Sequence, residues 1–136
     1  MKRNQGFSLV ELIIVIAIMA VLIGVLAPQY IKYVEKARVS SDDDMADTML
    51  TAGYLLATDE EYVYGINEGD KIIFSSTGIV VSPANSNIEN GLDEYVSGWR
   101  STKVKSKAYQ TRQYEVEFKA AGTASRTFSV EGSWQP

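Results

Sequence analysis

The sequence predicts an α+β fold, with a long N-terminal α-helix packed against a small antiparallel β-sheet head. Three observations point there. Leu12 to Ala27 carries no polar side chain. Beyond it an apolar stripe continues in steps of three or four through Tyr30, Val34, Ala37, Ser41, Met45, Met49, Ala52 and Leu56, which is helical spacing. The C-terminal half then switches to a two-residue period, clearest at Tyr114 to Lys119, where Tyr114, Val116 and Phe118 alternate with Glu115, Glu117 and Lys119.

The chain has 136 residues, enough for one domain plus an anchor. It contains no cysteine and no histidine. Disulfides, Cys/His zinc sites and catalytic arrangements built on Cys or His are therefore excluded. No glycine-rich phosphate loop occurs, and Glu115 and Glu117 share the presumed wet face of a strand, so an enzyme is not expected. No cofactor or metal is expected either. The net charge is −4, and −6 without Lys2 and Arg3. That acidity argues against a nucleic-acid partner.

The N-terminus is short and basic at Lys2 and Arg3, ahead of the apolar run, which keeps that end in the cytoplasm. A removable secretory signal fits poorly, because the best cut, after Ala27, would place Pro28 just past the bond. A membrane anchor fits by length: Phe7 to Ala27 gives 21 positions, against about 20 needed for about 30 Å of hydrocarbon. Glu11 stands out in such a helix, because an intramembrane carboxylate is costly and calls for a partner. A cut between Gly6 and Phe7 would create one: a free amine on Phe7, about 6 Å from Glu11 along one helix. The pair could form within one subunit or between staggered neighbours.

Gly6-Phe7-Ser8-Leu9-Val10-Glu11-Leu12, preceded by Lys2 and Arg3 and followed by an apolar helix, resembles the class III signal of type IV prepilins and pseudopilins. The resemblance implies that a membrane aspartyl peptidase cuts after Gly6 and N-methylates Phe7, and that Glu11 is required for assembly. It implies a layout of a cleaved leader at 1–6, a membrane and filament-core helix at 7–28 and a globular head at 29–136. The implied partners are the prepilin peptidase, a pilus assembly platform, the membrane and further copies of the chain in a helical filament. The implied location is the cytoplasmic membrane before assembly and an extracellular pilus afterwards. A pseudopilin of a secretion or competence machine shares the same motif. Many family members have threonine where this chain has Ser8, and the cysteine-bounded C-terminal loop of many pilins is absent.

Gly24 and Pro28 break the apolar run. Either Pro28 opens a new helix at its first turn, or one helix continues with a kink and a stretch that can unwind in the filament. The unbroken stripe favours one helix to about Thr58, a rod of about 75 Å. The head should hold a sheet at about 71–82 and 114–131. Its strands are Lys71–Ser75, Ile79–Ser82, Tyr114–Lys119 and Arg126–Glu131, with turns at Ser76-Thr77-Gly78 and Ala120–Ser125. Pro83 to Asn87 reads as loop, Leu92 to Val96 as a helical turn, and Trp99 and Tyr109 as packing anchors.

Charge is segregated. Val39 to Asp70 holds acids, including Asp42, Asp43 and Asp44, and no base. Val96 to Gln113 holds bases, including Lys103, Lys105 and Lys107, and no acid. These are either solvated faces paired within one subunit or complementary faces of neighbouring subunits. The basic stretch alone could also hold phosphates non-specifically.

Overall fold

The computed structural model describes residues 6–121 and 127–136. Lys2, Arg3, most of the expected turn at Ala120–Ser125 and the expected strand start at Arg126 lie outside the described residues. Contacts divide the chain into two units, Met1–Lys36 and Ala37–Pro136.

The first unit is the N-terminal part of helix α1 (Leu9–Thr58). Its start is fixed by a capping box. The Ser8 hydroxyl accepts the Glu11 N–H at 3.2 Å, and the Glu11 carboxylate accepts the Ser8 N–H at 3.4 Å. Pro28 lies inside α1 and does not start a new helix. Because proline has no N–H, the Gly24 carbonyl four residues earlier loses its helical donor.

In the second unit the later part of α1 packs on a four-stranded antiparallel sheet. The strands are β1 (Lys71–Ser75), β2 (Gly78–Ser82), β3 (Gln113–Ala120) and β4 (Phe128–Gln135), in the order β2-β1-β3-β4. Register pairs Ile72 with Val81 and Val116, Phe74 with Ile79 and Tyr114, and Phe118 with Val130. These side chains form the dry face. Lys71–Glu115 and Lys119–Glu131 pair on the other face, at 3.0 and 2.5 Å. β4 continues past the expected Glu131 to Gln135. Gly132 faces Val116 there, and a Cβ at Gly132 would lie 2.2 Å from the Tyr114 hydroxyl oxygen.

The helix face against the sheet keeps the expected Met49, Ala52 and Leu56, and is shifted by one position only at its start, where Asp42 and Ala46 replace Ser41 and Met45 as the buried residues. Asp42, Ala46, Met49, Ala52, Gly53, Leu56 and Ala57 are buried, while Ser41 is exposed. Gly53 sets the closeness of approach, since an added Cβ would meet Val116 Cγ1 at 2.8 Å and Val130 Cγ1 at 2.9 Å. The segment expected to be loop followed by one helical turn is instead helix α2 (Ser86–Tyr95). Asn85 caps it by accepting the Asn87 N–H, and Ile88 and Leu92 enter the core.

Candidate assembly surfaces

Every residue from Gly6 to Tyr33 is exposed, on all sides of α1. Fourteen large apolar side chains between Leu9 and Leu26 stand at least half exposed. A helix apolar all round requires apolar surroundings all round. α1 contains a stretch long and apolar enough to cross a membrane. Gly6 and Phe7 lie ahead of the helix, and Phe7 is 94% exposed. Glu11 is the single charged side chain between them and Lys32. A Cβ at Gly24 would meet nothing within 4 Å, so no packing among the described residues demands glycine there.

Asp42 is not an outward-facing acid. It is 1% exposed. Its carboxylate accepts the backbone N–H of Lys105 at 3.0 and 3.2 Å and that of Ser106 at 2.8 Å. A buried carboxylate must find donors, and these two N–H groups supply them. The charge count along the sequence could not show this, because the partners are backbone atoms more than sixty residues away. Asp43 is half-buried and bonded to the Tyr109 hydroxyl. Burial, then that bond, raises the Tyr109 pKa above its ordinary value. Asp44 is exposed.

Lys103, Lys105 and Lys107 are exposed, alternating with buried Val104 and Ser106. The segment is thus extended, with its lysines on one side. The Val104 N–H donates to the Ser75 carbonyl at 3.0 Å. Asp42 and Lys105 do meet, but through carboxylate and backbone rather than as an ion pair. Trp99 is buried, with its indole N–H on Asp93 at 2.7 Å, and Tyr109 stacks on Trp134 at 4.1 Å. Arg100 reaches the same Asp93 at 3.0 Å and lies over the Trp99 ring. These two donors hold the Asp93 pKa below its ordinary value, the arginine contributing most.

A further polar cluster had no sequence signal. The Tyr62 hydroxyl donates to Glu94 at 2.5 Å, and the Tyr95 hydroxyl to Asp59. The two rings meet edge to face at 6.2 Å. These crossed bonds tie the chain just beyond α1 to α2. They raise both phenol pKa values, that of Tyr95 to about 12, and lower that of Asp59. Asp70, also buried, accepts the Asn67 N–H and the Asn85 amide. Among the described residues no group of three or more acids is placed to hold a metal ion.

Residues 1–27 match the prokaryotic N-terminal methylation motif. The chain is 40% identical over 52 residues to a fimbrial protein of Moraxella nonliquefaciens, a stretch covering 38% of this chain and 34% of that protein. The chain therefore spans about a third of the length of the curated relative it matches. No solved structure matches.

Proposed function

We propose, from its N-terminal motif and its α+β architecture, that the chain is a member of the type IV pilin and pseudopilin family and the structural subunit of a type IV pilus. Prepilin peptidase cuts it after Gly6 and methylates Phe7. The membrane stores the processed chain through α1. An assembly platform then moves it into a surface filament, where copies of α1 replace lipid around one another.

The observation that carries this reading is the uncovered apolar helix. Half of the burial of a large apolar side chain is worth about 1 kcal/mol, so the exposed side chains from Leu9 to Leu26 represent on the order of 10 to 20 kcal/mol. Lipid and a bundle of like helices both recover this, so transfer between them is nearly neutral and polar groups decide register. Glu11 is that group. Unpaired in an apolar bundle it is costly, and paired with the Phe7 amine of a neighbour it costs far less. Gly24 and Pro28, with one carbonyl already without its donor, mark the stretch where α1 unwinds most cheaply on assembly.

Mass spectrometry of the N-terminal peptide from filaments sheared off producing cells tests the reading. A peptide starting at Phe7 and heavier by one methyl group is expected. Processed chain found only in membranes would support the pseudopilin alternative instead. A chain retaining residues 1–6 in every fraction would refute both.

A further inference from the structure

The second unit carries charge at two opposite ends. At one end lie Lys103 and Lys105, on the extended segment that Asp42 and Ser75 grip by three consecutive N–H groups, from Val104 to Ser106. Two residues apart on one side of an extended chain, the lysines stand about 7 Å from each other. Neither makes a salt bridge among the described residues. Asp43 and Asp44, next to Asp42 on α1, belong to this same end and cannot be its distant complement.

At the other end α1 stops at Thr58, and the chain turns through Glu60, Glu61 and Glu68, all exposed and without a salt bridge among the described residues. This end is also braced by hydrogen bonds. The Val63 N–H donates to the Asp59 carbonyl at 2.9 Å, and the crossed Tyr62–Glu94 and Tyr95–Asp59 bonds fix the turn to α2. From Asp42 to Thr58 the helix rises about 24 Å. That is about three Debye lengths at physiological salt, too far for the two patches to neutralise each other within one head.

We propose that Lys103 and Lys105 of one copy dock on Glu60, Glu61 and Glu68 of a second copy, an end-to-end contact between heads stacked along the α1 direction. The inference rests on the filament reading above and adds to it the surfaces that meet. The two patches differ and sit at opposite ends, so the contact is heterologous and need not close into a ring, and repeated copies extend an open helical array. Charge in a polar rim fixes which neighbour is accepted, while the apolar helices supply the bulk of the attraction.

The 136-residue sequence contains no cysteine, so disulfide trapping between its copies has no background from it. Producing cells carrying Lys105→Cys together with Glu61→Cys are oxidised, and sheared and membrane fractions are run without reductant. A ladder of covalent multimers from the double variant, absent from either single variant, is expected. Chains starting at Phe7 in the sheared fraction with no ladder would overturn the contact while leaving the filament reading intact. Wild-type chains that keep residues 1–6 would overturn the filament reading itself. Charge exchange supplies a second readout. Lys103→Glu with Lys105→Glu should lower the yield of sheared filaments at least tenfold, and adding Glu60→Lys and Glu61→Lys should restore at least half of it. No recovery would count against the proposal. So would unchanged yield with lost retention on phosphocellulose, which would assign the lysines to an external polyanion.

Discussion

Replacing Asp42 with alanine tests the central polar contact of the head. Its carboxylate satisfies one fully buried N–H, on Ser106, and one part-buried N–H, on Lys105. A hydrogen bond to a charged group contributes about 1.5–3 kcal/mol, and a buried donor left without a partner costs about 1–3 kcal/mol. Removing the carboxylate also removes the cost of burying its charge, which offsets part of the loss. The donors remain, however, and alanine offers them nothing. We expect a net loss of about 2 to 4 kcal/mol, counting the Lys105 bond at less than full value. For a head of this size that corresponds to a fall in Tm of about 10 to 30 °C. Asp42→Asn keeps one acceptor oxygen and turns an amide against the other donor, so it should fall between wild type and Asp42→Ala. The assay is thermal unfolding of the detergent-solubilised full chain at pH 7, followed by the near-ultraviolet circular dichroism of Trp99 and Trp134. A loss below about 0.5 kcal/mol for Asp42→Ala would refute the reasoning, because that is the scale of a surface substitution.

Two further outcomes follow from the packing and the crossed tyrosines. Gly53→Ala gains about 1 kcal/mol of helix propensity but places a methyl group 2.8 Å from Val116 Cγ1, so overpacking of about 1–3 kcal/mol should win and the head should melt lower; a higher Tm would contradict the close approach. For the Tyr95–Asp59 pair, the raised phenol pKa contributes stability that is complete below the ordinary value of 10.0 and lost as pH rises through about 12. The lowered Asp59 pKa contributes stability complete above the ordinary 3.8 and lost as pH falls through the lowered value. Tyr95→Phe should therefore lower Tm between about pH 4 and pH 10, converge with wild type at both extremes, and remove the one tyrosine's share of the absorbance rise that titrates near pH 12. A Tm difference that persists at the alkaline extreme would show that the ring, not the hydrogen bond, supplies the stability.

The α+β architecture was legible because its two periods are long and clean. The dry face of β3 reads directly from Tyr114, Val116 and Phe118. α2 was not legible. Its apolar positions, Ile88 and Leu92, are one turn apart inside a segment rich in Asn and Ser, and those residues act as its cap rather than as a loop. The end of β4 was hidden because Gly132 interrupts the alternation, and its small size is explained only by Tyr114 on the neighbouring strand. Charge segregation could be read from the sequence, but not which acids belong with which bases. Asp42, Asp43 and Asp44 look like one acidic face. One of them is buried, one is bonded to Tyr109, and one is exposed.

α1 thus carries two carboxylates against apolar surroundings, and they are provided for in opposite ways. Asp42 is completed within the chain, by backbone donors at 2.8 and 3.0 Å that leave it nothing to offer a neighbour. Among the described residues Glu11 accepts the Ser8 N–H, at 3.4 Å, longer than the 2.7–3.2 Å usual for such a bond. In the proposed processed chain a new ammonium on Phe7 would stand at the positive end of the helix dipole, where a cation is unfavourable without a carboxylate nearby. A carboxylate already satisfied would accept any register of neighbouring helices equally. One left partly satisfied favours the register that brings it an amine. In the proposed filament, the head therefore needs its buried acid closed, and the N-terminal helix would need its exposed acid open.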